Sequence, residues 1–187
     1  MRDMLKPALV LFVAALVTSL ILCVMQAVTK DIVAANEEKV RLEAMREVLP
    51  FAGEFSEAVE TGEVSGVVSL ADCLAPDGAV LGTALTVVVK GYGGDMTILV
   101  GTDGQNAVTG VRLLSHTETP GLGTNAEKDV FLSQYTGKTG ALSVSRTSPC
   151  DNEIQAITSA TITSRAVTEG VNAALAFNAA RQAGGAQ

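Results

Sequence analysis

From Pro7 to Val28 the chain reads PALVLFVAALVTSLILCVMQAV without one charged residue. A membrane-crossing helix needs about 20 mostly apolar residues, each rising about 1.5 Å, and this run supplies them. A cleaved signal peptide is the competing reading. Its apolar stretch covers only about 7 to 15 residues and ends at a small-residue cleavage site, and no clean A-x-A site follows here. Residues 1–30 are therefore expected to form a short cytoplasmic tip and one retained transmembrane helix. Arg2 and Lys6 stand against Asp3 on the short N-terminal side, whereas the far side opens with Lys30, Asp31 and NEEK. Cations collect on the cytoplasmic side of a span. The expected arrangement is a single pass of the cell (inner) membrane, N-terminus cytoplasmic and main domain extracytoplasmic.

What remains of the 187 residues has room for one domain of ordinary size, since domains cluster at roughly 100–150 residues. The net charge of -7 and pI near 4.7 offer no basic stripe for a phosphate backbone, so nucleic acid is not expected as a partner. Cys23 lies in the apolar run, and Cys73 and Cys150 lie beyond it. A Cys73–Cys150 bridge is compatible with an oxidising compartment, although lone cysteines are more often small buried residues. His116 is the single histidine, which excludes a multi-histidine zinc or haem site within the chain.

Residues 31–50 read as a juxtamembrane helix: DIVAANEEKVRLEAMREVL holds good helix formers without Gly or Pro, and Pro50 ends it. Val33, Val40, Leu42, Val48 and Leu49 form no single clean stripe, which leaves open whether it stands free or packs on the domain. Residues 51–187 are expected to form one external domain. Strand-like segments rich in Val, Ile, Leu and Thr occur at 64–70, from 79, from 96 and from 107, with turn signals at Asp77-Gly78 and Asp103-Gly104. Such short connections argue for antiparallel pairing. NAEKDVFLSQYTG then reads as a short helix ended at Gly137, ALSVSRTSP as a further strand, and residues 163–183 as a helix with Val167, Val171, Ala174, Leu175 and Asn178 at turn spacing. The C-terminal GGAQ is expected to fray. The fold class is α+β: a transmembrane helix, then a mainly antiparallel sheet with flanking helices.

The chemistry concentrates in ITSATITSRAV, residues 157–167, where Thr158, Ser159, Thr161, Thr163 and Ser164 meet the start of the last helix. Small hydroxyl residues there are ordinarily N-caps. The alternative is an anion site, in which free N–H groups and the helix dipole favour a phosphate and Arg165 adds a cation one turn in. Spacing alone leaves both readings open.

The segment TSATITSRAVTEGVNAAL resembles the flavinylation motif of the G-subunit family of Rnf-type electron transport complexes. In that family, and in the C-subunit of the sodium-translocating NADH:quinone reductase, the motif is commonly Ser or Thr, Gly, Ala, Thr, a further residue, then Thr or Ser. Its last motif threonine carries FMN through a phosphoester. Thr158, Ser159, Ala160 and Thr161 occupy the four places, so the resemblance implies covalent FMN on Thr161. Ser159 stands where Gly is usual, and Gln155 where many members have Asp; both positions bear on how a flavin transferase reads the motif. The blocks SHTETPGLGTNAE, residues 115–127, and KGYGGDMTILVGTDG, residues 90–104, also resemble the family. On structure alone they are turns; by resemblance they are walls of the flavin site. His116, Glu118, Thr119 and the backbone of Gly121, Leu122 and Gly123 become candidates to hydrogen-bond the ring or shape its pocket. Glu118, as a nearby anion, would disfavour an anionic reduced flavin.

The resemblance implies a redox carrier in a complex that passes electrons between ferredoxin and NAD and couples this to ion movement, with other membrane and peripheral subunits and a flavin transferase as partners. The chain has no P-loop, no Rossmann glycine fingerprint and no cluster-binding cysteine set, so it carries no complete active site of its own. Three other readings stand beside this one. They are a component like the C-subunit of the sodium-translocating quinone reductase, a membrane-tethered flavin-binding module without electron-transfer partners, and a free-standing external reductase. For the last, no acid or base constellation is visible.

Overall fold

The structure is a computed structural model that describes residues 2–51, 53–64, 66–147 and 149–184. It divides into two compact units, Met1–Arg41 and Leu42–Gln187. The first helix, α1, runs Arg2–Val48. Within it, Leu9–Val48 contains a stretch of mean hydropathy 2.6, none of it buried, which is long and apolar enough to cross a membrane.

In the second unit six strands form one antiparallel sheet: β1 (Glu54–Phe55), β2 (Val59–Val64), β3 (Val67–Leu74), β4 (Val80–Lys90), β5 (Asp95–Asp103) and β6 (Val108–Ser115). The order is β1-β3-β4-β5-β6, with β2 also paired to β3. The short loops dictate this meander, because a parallel crossover needs a dozen or more residues. The segment read as one strand over 64–70 is instead divided: β2 ends at Val64 and β3 begins at Val67, the two paired with each other. The turn at Asp77-Gly78 forms as expected, Asp77 Oδ1 accepting from the Ala79 amide at 3.1 Å. At Asp103-Gly104 the side chain of Asp103 caps the amides of Gln105 and Ala107, and the left-handed residue is Asn106, with φ 60°. Asn106 holds that conformation because its Nδ2 donates to the Leu175 carbonyl.

Beyond the sheet, a helical segment comprises 3-10 turns at Gly123–Glu127 and Ser133–Tyr135 around the one-turn helix α2 (Asp129–Leu132). The short strands β7 (Ser143–Ser145) and β8 (Glu153–Gln155) pair in parallel. The last helix, α3, spans Thr161–Gly184, so it starts two residues before the expected boundary. The predicted fraying of GGAQ falls, after Gly184, outside the described residues. Cys73 is buried, Cys150 is exposed, and both are free thiols rather than a bridge.

β4 and β5 are covered on both faces, and alternation along the strands assigns each residue a side. Leu85, Val87, Met96, Ile98 and Val100 face Val167, Val171, Ala174 and Leu175 of α3, together with Phe131 and Tyr135. Ala84 and Leu99 face the other way, onto Ala44, Met45, Val48 and Leu49. The end of α1 therefore packs on the domain through a stripe confined to its last two turns; Val33, Val40 and Leu42 are exposed. Two cross-strand partners, Gly101 and Gly110, make room for it. A Cβ on Gly101 would lie 2.8 Å from the Val48 carbonyl oxygen, and one on Gly110 would lie 3.0 Å from Val48 Cα. Thr109 then donates to that carbonyl at 2.6 Å, satisfying one of the orphan acceptors at the helix end.

At the far end of α3, Arg181 forks onto Asp72 of β3 at 2.7 and 2.8 Å, and Thr83 donates to the same carboxylate at 2.9 Å. Burial pushes the Asp72 carboxyl up, but the Arg181 and Thr83 hydrogen bonds and the Arg181 charge outweigh it and hold the carboxyl below its usual range.

Two outcomes follow for the full-length chain in detergent. Gly101→Ala overpacks the seam and lowers stability by about 1–3 kcal/mol; an unchanged Tm would mean that the helix end is not seated there. The depressed Asp72 carboxyl stabilises the fold above about pH 4 and ceases to do so as pH falls through its folded value. Wild type should accordingly lose its margin over Arg181→Met on acidification below about pH 4, a half-exposed pair contributing at most about 1 kcal/mol; equal acid sensitivity would remove the pair from the account.

Candidate functional site

The segment entering α3 sorts its hydroxyls by direction. The helix starts on Ala160, whose carbonyl accepts from the Ser164 amide at 3.0 Å, so the residue at the N-cap has no hydroxyl. Of the two readings that spacing left open, the hydroxyl N-cap is not formed among the described residues. Ser164, fully buried, donates to the Ala160 carbonyl at 2.9 Å and accepts from the Ile157 amide at 3.0 Å, pinning the bend from β8 into the helix. Thr163, also buried, donates to Glu118 at 2.8 Å. Thr158 and Ser159 are exposed and Thr161 is half-buried. Ser159 has φ 66°, the left-handed region, at the position where the resembled motif usually has glycine.

Two cavities flank Thr161. The first, of about 380 Å³, is lined by Tyr92, Glu118, Thr119, Leu122, Gly123, Ser159, Ala160, Thr161, Ile162 and Thr163. The second, of about 310 Å³, is lined by Arg146, Gln155, Ala156, Ile157, Thr158, Ser159 and Thr161. Ser159 and Thr161 belong to both. Apolar side chains stand exposed around the first: Tyr92 at 70%, Ile162 at 55% and Leu122 at 45%.

Three stretches of chain build the first cavity. Glu118 ties them together, accepting from the Tyr92 amide at 2.7 Å and the Gly93 amide at 3.1 Å on Oε1, and from Thr163 on Oε2. A methyl group at Gly91 would overlap Oε1 and one at Gly123 would overlap Oε2, so these glycines are required by the close approach of the carboxylate. His116 Nδ1 accepts from the Glu118 amide at 3.1 Å while Nε2 pairs with Glu127, which leaves both ring nitrogens engaged.

Of the residues singled out from the sequence, Glu118, Thr119, Leu122, Gly123, Ser159, Ala160, Thr161 and Thr163 line this cavity, and Thr158 lines its neighbour. His116, Gly121, Ser164 and Arg165 line neither. Gly121 is a turn residue with φ 78°, and Arg165 is exposed on the outer face of α3. The cation that shares a cavity with Thr161 is Arg146 instead, which directly follows β7. Tyr92 and Ile162 were missed. Tyr92 had a signal, a lone aromatic inside the glycine turn KGYGGD.

A model of the FMN-binding domain family matches residues 91–176, and a model of the RnfG N-terminal region matches residues 1–48. The G-subunit of the Na(+)-translocating ferredoxin:NAD(+) oxidoreductase complex of Acetobacterium woodii is 35% identical over 183 residues, covering 89% of this chain and 87% of its own. The chain belongs to the G-subunit family of Rnf-type complexes. The G-subunit of the proton-translocating ferredoxin:NAD(+) oxidoreductase complex of Clostridium ljungdahlii is 47% identical over 87 residues, 46% of this chain and 47% of its own. The crystal structure of Shewanella oneidensis NqrC is similar with a TM-score of 0.49 at 19% identity, over 62% of this chain and 61% of that one. Both cavities lie within the stretch matched by the FMN-binding domain.

The strained Ser159 yields a direct test. A left-handed non-glycine residue costs about 1–2 kcal/mol, and glycine gives back about 0.5–1 kcal/mol through the entropy of the unfolded chain. Ser159→Gly is expected to raise the stability of this RnfG-family protein by somewhat under about 1 kcal/mol, read as a higher Tm, and Ser159→Val to lower it. A lower Tm for the glycine variant would show that φ there is not strained.

Proposed function

We propose that this chain is the electron-carrying subunit of a membrane-bound, ion-translocating ferredoxin:NAD oxidoreductase complex, with FMN joined by a phosphoester to Thr161. The observation that carries the reading is the placement of Thr161: half-buried, first in a long helix, and on the wall between a largely apolar cavity and one that holds a guanidinium. The two relatives described above are named as subunits of such complexes, and their names differ in the ion moved.

The residues present fit FMN. About 380 Å³ lies within the roughly 300–1,000 Å³ of small-molecule sites. Tyr92, Leu122 and Ile162 offer apolar contact for a flat ring, and the glycines let backbone approach closely. Arg146 and the hydroxyls of Thr158 and Ser159 are suited to the phosphate. Attachment forms a bond between Thr161 Oγ1 and the phosphorus of a flavin nucleotide donor, displacing the donor's leaving group and releasing the hydroxyl proton; a flavin transferase supplies the catalysis. Bound FMN supplies one- and two-electron chemistry. The chain itself positions that group and keeps it with the other subunits through its apolar helix. The excess of cations at Arg2 and Lys6 supports a cytoplasmic N-terminus and an extracytoplasmic domain in the cell (inner) membrane.

Intact-mass measurement and in-gel fluorescence on the full-length chain, from membranes containing a flavin transferase, test the attachment. Wild type should carry an FMN increment and fluoresce, and Thr161→Ala should show neither. An increment that survives in Thr161→Ala, or none in wild type, would overturn the assignment.

A further inference from the structure

Among the residues lining the apolar cavity, one carries a formal charge. Glu118 is 6% exposed, and its neighbours there (Tyr92, Thr119, Leu122, Ile162 and Thr163) are neutral. Burying a carboxylate costs several kcal/mol unless donors surround it. Here the donors are two backbone amides of the β4–β5 turn and the Thr163 hydroxyl, and no Lys or Arg forms an ion pair with it among the described residues. A neutral glutamine of the same size would make the same three contacts, because its oxygen can accept both amides and its NH2 can donate to Thr163 Oγ1. Holding the turn together therefore does not require the charge. Since the geometry does not demand the charge, its effect is sought in what the cavity holds.

We propose that Glu118 is a positioning residue that also acts electrostatically. It fixes the turn, loop and helix start that form the cavity, and its negative charge lowers the reduction potential of the flavin held there. The inference rests on the reading that FMN occupies this cavity. Reduction adds negative charge, and a fixed anion in low-dielectric surroundings opposes that addition. Among the described residues no cation lines the same cavity to offset it; Arg146 lines the neighbouring cavity, which shares Ser159 and Thr161.

The test is the midpoint potential of the flavin in the full-length, flavinylated chain in detergent, measured by spectroelectrochemical titration for wild type, Glu118→Gln and Glu169→Gln. Glu169 is an exposed acid on α3 outside both cavities. In Glu118→Gln the ratio of reduced to oxidised flavin at a fixed ambient potential should rise at least about tenfold, which is about 30 mV for a two-electron couple. Glu169→Gln should leave the potential in place. An unchanged or lowered potential in Glu118→Gln overturns the proposal, as does an equal shift in Glu169→Gln. Should Glu118→Gln fail to fold, Thr163→Val decides: it keeps the charge and removes a donor that quiets it, so the potential should fall, and a rise or no change overturns the proposal. Covalent flavin with a potential indifferent to Glu118 sinks this inference alone. Absence of flavin from wild type sinks the carrier reading and this inference with it.

Discussion

The site depends on how α3 is held, because a helix presents its first turn in a defined direction only when its axis and rotation are both fixed. Its inner stripe of Val167, Val171, Ala174 and Leu175 is buried against the sheet, and burying each Val or Leu of it is worth about 1.5–3 kcal/mol. At Gly170 the helix approaches so closely that a methyl group would overlap Ile98. Polar ties then lock the two ends, Thr163 to Glu118 at the start and Arg181 to Asp72 near the finish. A rotation of one residue, about 100°, would carry Thr161 away from the wall that the two cavities share.

The fold was largely legible because its signals are local. The charge-free run, short strands bounded by turn residues, and a 3.6-residue stripe in the last helix each read directly onto an element. What escaped was set by tertiary contact. β1 spans two residues and exists by pairing with the end of β3, and β7 and β8 are three-residue strands joined in parallel. The docking of α1 was hidden for a related reason. Its buried stripe occupies only the last two turns, too few for a periodic signal to stand out from the apolar and charged residues before it.

The candidate site was legible in residue type and less so in role. Five hydroxyl residues close together marked the place, but the left-handed bend at Ser159 decides which of them face outward, and no pattern of side chains announces a φ angle. Thr163 and Ser164 are buried structural donors, Thr163 at the back of the first cavity, whereas Thr158, Ser159 and Thr161 are the more open residues of the second. Helical neighbours are what a sequence displays, and they point to Arg165 as the cation; the one beside Thr161, Arg146, arrives from the β7–β8 region instead. His116 stands out as the single histidine, yet both its nitrogens are spent on Glu118 and Glu127.

The division between helix and loops bears on why attachment would be covalent in the proposed reading. Thr161 sits at the start of a long helix, whereas Tyr92 and Leu122 of the first cavity come from a turn and a loop and stand well exposed. Tight reversible binding ordinarily buries 70–90% of a ligand's surface. A tether removes that requirement, because it turns association into an intramolecular event at an effective concentration in the millimolar range or above. The ring is then free to keep an exposed edge. Exposure is a defect in a binding site and an advantage in a carrier, where electrons must pass to and from other subunits. In the proposed reading Thr161 retains the group, the apolar wall orients it, and the buried charge of Glu118 is left to act on its energetics.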